Sequence, residues 1–119
     1  MTAKIYHNPR CGKSRETLKL LEANGITAEV IEYLKTPPSY IELDNILIKL
    51  ALEPRELMRK KETAYKELNL GNAELDRATL IDAMINNPIL IERPIVIIAD
   101  KVAIGRPPEA VLTILGTVR

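Results

Sequence analysis

Lys4-Ile5-Tyr6-His7-Asn8-Pro9-Arg10-Cys11-Gly12-Lys13-Ser14-Arg15 begins apolar and turns polar around a lone cysteine. Lys4-Ile5-Tyr6 reads as a short strand, and His7 to Ser14 as the loop that follows it. A helix comes next, with Thr17, Leu18, Leu20 and Leu21 on its less polar face, Lys19 and Glu22 turned outward, and Asn24-Gly25 as its stop. Thr27 to Leu34 alternates loosely and is rich in β-formers, which predicts a second strand. Strand, loop, helix, strand implies two parallel strands joined by a right-handed crossover, with Cys11 where the first strand gives way to the helix.

Beyond this unit, Lys35-Thr36-Pro37-Pro38 is a loop, and Ser39-Tyr40-Ile41-Glu42 matches a capping box. Leu43, Ile46, Leu47 and Leu50 then recur as one helical face. Residues 53–67 alternate basic and acidic groups and read as short helices. Asp76 can cap a helix whose buried face is Leu80, Ile81, Met84 and Ile85, ended by Asn86-Asn87-Pro88. Pro94 to Ile98 is a buried strand, Ala99-Asp100-Lys101 a turn, and Val102-Ala103-Ile104 a short partner strand. Gly105-Arg106-Pro107-Pro108-Glu109 opens a last helix with Val111, Leu112, Ile114 and Leu115 apolar. The order βαβ, helices, ββα predicts an α/β chain of thioredoxin-like type: a four-stranded mixed sheet flanked by helices, with a helical insertion at about residues 39–87. A length of 119 residues predicts one domain over residues 1–119.

Composition excludes several function classes. Lys and Arg number 17 against 16 Asp and Glu, so no global field draws nucleic acid or an anionic membrane. The four tyrosines, Tyr6, Tyr33, Tyr40 and Tyr65, are scattered and suggest no base-stacking platform. With no Phe or Trp, the core is aliphatic. The first apolar run is too short for a signal sequence and no stretch approaches a membrane span, so a cytoplasmic protein is expected. One cysteine cannot form an internal disulfide, and one histidine beside it leaves no structural zinc site.

Cys11 carries the chemistry. A lone intracellular cysteine is usually a small buried hydrophobe, but Pro9-Arg10-Cys11-Gly12-Lys13-Ser14 is a poor place to bury one. The free N–H groups of a helix start stabilise a thiolate and bind oxyanions. Cationic neighbours lower a thiol pKa further, and His7, Arg10, Lys13 and Arg15 all lie within four residues of Cys11. Gly12 lets an anion approach the backbone closely. Cys11-x-x-Ser14 also occurs in monothiol glutaredoxins, a short match. A phosphatase loop would place arginine at position 17, which is Thr17.

Residues 5–15 resemble the active-site signature of the glutaredoxin-linked arsenate reductases, and the similarity continues through residues 57–61, 80–82, 87–96 and 105–109. With Arg10 and Lys13 both basic, the chain is similar to the chromosomal branch of that family. The resemblance implies Cys11 as nucleophile, His7 as the histidine that helps keep the thiol ionised, and Arg59, Arg93 and Arg106 as the anion-binding arginines. It implies Ser14 as a hydroxyl able to donate to the sulfur, and a cis bond at Arg93-Pro94. Arsenate or a similar oxyanion is the implied substrate, with glutathione and glutaredoxin as external partners and no bound cofactor or metal. Two other readings keep the fold: a redox-sensing regulator that binds RNA polymerase, and a general thiol oxidoreductase. Ser14, in the place of a second cysteine, favours the enzyme over the disulfide switch.

Overall fold

The computed structural model describes residues 2–115, the side chain of Leu115 excepted. Its elements run β1 (Thr2–His7), α1 (Gly12–Ala23), β2 (Thr27–Glu32), α2 (Tyr40–Leu50), α3 (Thr63–Glu67), α4 (Arg77–Asn86), β3 (Ile95–Ile98), β4 (Lys101–Ile104) and α5 (Leu112–Leu115). Single 3-10 turns occupy Pro54–Leu57, Pro88–Leu90 and Pro108–Val111. The chain divides into two compact units, residues 1–36 with 93–119, and residues 37–92.

The first unit holds the sheet, in the order β2-β1-β3-β4. β1 and β2 are parallel in the register Ile5↔Val30, whereas β3 is antiparallel to both β1 and β4. Alternation along β1 sends Ala3 and Ile5 into one cluster with Leu21 and Ile26, Val96 and Ile98 of β3, Ala103, Val111 and Ile114. Leu21, with Leu18 and Leu20 beside it, anchors α1 to this aliphatic core.

The helix stop at Asn24-Gly25 is realised: Asn24 N–H bonds to Leu20 O and Leu21 O, and Gly25 adopts φ 75°. Within α1 only Ser14, Thr17 and Leu21 are fully buried, while Leu18 and Leu20 are half-buried. β2 ends at Glu32, short of the expected Leu34, because Glu32 O accepts the N–H groups of Lys35 and Thr36 and closes a turn there. The last helix also differs from expectation. Pro107 is extended (φ −69°, ψ 166°), and the chain then makes a 3-10 turn before the single turn of α5. Pro108 disfavours the helical region for the residue before it, which keeps Pro107 extended and delays the start.

In the second unit, Ser39 caps α2 with the expected box: Glu42 N–H donates to Ser39 Oγ at 3.2 Å and Ser39 N–H to Glu42 Oε1 at 2.9 Å. Asp76 Oδ1 accepts from Thr79 N–H at 2.9 Å and caps α4. The two helices touch, and Arg77 forks onto Asp44 Oδ1 at 2.7 and 3.0 Å between them. A short antiparallel ladder joins residues 57–59 to 90–92, with Arg59 N–H on Leu90 O and Glu92 N–H on Leu57 O. No helix among the described residues is long and apolar enough to cross a membrane.

Candidate active site

Cys11 is the N-cap residue of α1, with extended backbone (φ −94°, ψ 123°). Its own N–H is taken by Asn8 O at 3.0 Å, and its carbonyl accepts Arg15 N–H at 3.0 Å, so the loop turns directly into the helix. This geometry aims the first free N–H groups of α1 at the sulfur. Burial acts to raise the thiol pKa, but the Ser14 N–H, the Arg93 charge, the Lys13 N–H and an Arg93 side-chain hydrogen bond together outweigh it. The net result is a thiol held below its ordinary range.

Arginines distant in sequence complete the surroundings. Arg106 Nη2 donates to Cys11 Sγ at 3.7 Å, while Arg106 Nε donates to Arg93 O at 2.8 Å. Arg93 precedes Pro94 through a cis peptide bond, as the resemblance implied. A second cis bond, Arg106-Pro107, had no counterpart in the sequence reading. Both arginines thus leave the chain immediately before a cis proline, and both act on the same sulfur.

Behind the cysteine lies a polar pair. His7 and Ser14 are buried, and Ser14 Oγ shares a 2.7 Å hydrogen bond with His7 Nδ1. Ser14 Oγ also accepts Asn8 N–H at 3.0 Å. The serine therefore serves the sulfur through its backbone N–H, while its hydroxyl ties His7 and Asn8 to the helix. Burial lowers the His7 pKa, Glu32 opposes that, and Arg15 adds to it, so the net shift is downward and favours the neutral imidazole. A neutral imidazole lends no cationic charge to the thiolate; it orients Ser14.

That shift fixes a pH effect. The folded His7 binds protons more weakly than an unfolded histidine, whose pKa is 6.5. Its contribution to stability is complete above that value and is lost as pH falls through the folded pKa. Thermal melts between about pH 6.5 and pH 5 should show wild type losing stability faster than His7→Gln. Parallel curves for the two proteins would refute the neutral assignment.

Around the mouth, Arg10 and Lys13 are exposed. Arg10 N–H bonds to Asn8 Oδ1 at 3.0 Å, and Arg15 Nη1 donates to Pro9 O at 2.9 Å, so Arg15 braces the loop. A Cβ at Gly12 would meet only Arg15 Nη2 at 3.9 Å, so packing makes no demand for glycine there and the helix start stays open to an incoming anion. Six of the expected site residues, His7, Cys11, Gly12, Ser14, Arg93 and Arg106, lie in the first unit. Arg59 lies in the second, where its Nη1 pairs with Glu62 Oε1 at 2.6 Å.

The sequence reading passed over Thr17 and Gly105. Both are buried, and Thr17 Oγ1 donates to Lys13 O at 2.7 Å. The signals were present: a threonine on the buried helix face, and a glycine directly before Arg106-Pro107.

A lone cysteine at a helix start, guanidinium groups beside it and a mixed four-stranded sheet define a thioredoxin-like fold whose one cysteine has a lowered pKa. The ArsC family profile matches residues 6–114. The chain is 52% identical over 116 residues to the arsenate reductase of Haemophilus influenzae, covering 97% of this chain and 100% of that one. It is 56% identical over 114 residues to the uncharacterized protein YfgD of Escherichia coli K12, covering 95% and 96%. The structure of an arsenate reductase from Vibrio cholerae superposes with a TM-score of 0.92 at 54% identity, over 95% of this chain and 97% of that one. The chain belongs to the ArsC family.

Proposed function

We propose that this protein is an arsenate reductase of the cytoplasm that uses Cys11 as its nucleophile and glutathione with glutaredoxin as its reducing partners. The observation that carries this reading is Cys11 at the N-cap of α1 with Arg106 Nη2 at 3.7 Å from its sulfur and Arg93 beside it, a setting that lowers the thiol pKa. A tetrahedral dianion suits that set, because guanidinium forks and free N–H groups match its oxygens. The arsenate reductase names borne by relatives at about half identity support the same substrate.

The thiolate attacks arsenic, an S–As bond forms, and one arsenate oxygen leaves as water; arsenic stays pentavalent at this step. Reduction then needs two electrons. With only one cysteine in the chain, no internal disulfide can supply them, so external thiols do. Overall, arsenic acid and two thiols yield arsenous acid, one disulfide and one water. Ser14 lowers the thiol pKa through its N–H, and His7 orients Ser14, so both favour the thiolate that attacks. The resemblance assigns Arg59 to the anion as well, and Arg59→Ala tests this by raising the KM for arsenate.

The test is NADPH consumption with arsenate, glutathione, glutaredoxin and glutathione reductase. Turnover should require every component. Absence of arsenate-dependent turnover from a protein whose Cys11 still titrates as a low-pKa thiol would overturn the reading and leave another thiol chemistry.

A further inference from the structure

Gly105 is buried, and its φ lies outside the positive range, so any residue could adopt its backbone conformation. The space is what excludes a side chain. A Cβ there would overlap Thr17 Oγ1, reach Pro94 Cγ at 2.8 Å and Thr17 Cγ2 at 3.0 Å. Neither neighbour can yield easily. Pro94 is a closed ring, and Thr17 is β-branched, fully buried and tied by its hydroxyl to Lys13 O at 2.7 Å. Gly105 itself is tethered from the other side, its N–H donating to Pro94 O at 2.9 Å.

The three residues join the segments that carry the site. Thr17 stands in α1, whose N-cap is Cys11 and whose first turn presents the Lys13 and Ser14 N–H groups. Pro94 follows Arg93, and Gly105 precedes Arg106. We propose that Thr17 and Gly105 are positioning residues of the anion site: the bare face of Gly105, seated between Thr17 and Pro94, sets how closely α1 approaches Arg93 and Arg106. The contact acts on the reaction through those arginines and touches no substrate. The proposal rests on the function proposed above for its link to arsenate, although its effect on the thiol does not depend on arsenate.

A bulkier residue 105 lengthens the path from the guanidinium groups to Sγ, and a truncated residue 17 removes the packing that holds that path constant. Charge stabilisation at 3.7 Å is sensitive to such shifts. The experiment measures the pH dependence of Cys11 alkylation by iodoacetamide, and the KM for arsenate, in wild type and in Gly105→Ala, Thr17→Ala and Thr17→Val. Gly105→Ala and Thr17→Ala should raise the thiol pKa by about half a unit to one unit, slowing alkylation at pH 6 by about threefold to tenfold. The arsenate KM should rise with it. Thr17→Val keeps both branches of the side chain and should retain the wild-type thiol titration.

If Gly105→Ala does not fold, the two Thr17 variants decide the matter. A Thr17→Ala protein with the wild-type thiol titration and a KM within about twofold of wild type would overturn the proposal. So would a Thr17→Val protein as impaired as Thr17→Ala, since the hydroxyl bond to Lys13 would then be what matters. Wild type without arsenate turnover, but with variants that shift the thiol pKa, would remove the arsenate function and leave the positioning role standing.

Discussion

Cys11→Ser should abolish arsenate-dependent turnover, with kcat falling by at least about a thousandfold while the fold stays intact. The reason lies in the ionisation that the site favours. The N–H groups of Ser14 and Lys13 and the Arg93 charge stabilise an anion at residue 11. A thiol reaches that state within reach of neutral pH, and a serine hydroxyl does not. Loss of folding is an unsuitable explanation for the same result, because residue 11 is an N-cap that makes no side-chain cap bond. Serine is among the preferred residues at that position and should keep or slightly raise stability. Turnover and a thermal melt on one preparation make the comparison. Retention of more than about a tenth of wild-type turnover would remove Cys11 from the nucleophile's role.

Arg93→Ala should be the next most damaging change, lowering kcat/KM for arsenate by about a hundredfold to a thousandfold. Arg93 contributes both charge and a hydrogen bond at the sulfur, and its Nε and Nη1 are buried, where charge is poorly screened. Its removal should also move the alkylation profile of Cys11 to higher pH. The sign follows from the direction of the shift: the folded thiol is more acidic than its ordinary value, so it contributes stability above the unfolded thiol's pKa. That contribution is lost as pH falls through the folded pKa, and Arg93→Ala should diminish it. Arg93→Lys should restore part of the thiol acidity but little of the arsenate affinity, because an ammonium keeps the charge and loses the planar fork. An alkylation profile for Arg93→Ala that overlays wild type would show that the α1 N–H groups alone hold the thiolate.

Much of the molecule was legible in its residues because the forces involved are local. The Ser39 box, the Asp76 cap and the Asn24-Gly25 stop each satisfy backbone groups within a few positions of themselves. The apolar stripe of α2 likewise follows from periodicity alone. Cys11 at the start of a helix is a local fact too, and with it the expectation of an acidic thiol. Boundaries slipped at the loop expected over residues 7–14, where β1 runs through His7 and α1 opens at Gly12. They slipped also at the end of β2 and the start of the last helix, where a turn or a pair of prolines competes with an apolar pattern.

The arrangement around the sulfur was decided elsewhere. Arg106 is 95 positions from Cys11, and the two meet because β3 inserts beside β1 in the sheet order β2-β1-β3-β4. Pairing across so great a separation is set by which apolar faces can be buried together, and short-range spacing carries no record of it. The same packing buries His7 and lowers its pKa, which its position in the sequence does not reveal. It also gives Gly105 its meaning, since nothing in the sequence says that Thr17 and Pro94 stand on either side of that residue. The sequence by itself determined most of the elements and the place of Cys11 at a helix start, because hydrogen bonds and periodicity act over a few residues. Only the tertiary structure determined the convergence of Arg93 and Arg106 on that cysteine, because burial acts between segments far apart in the chain.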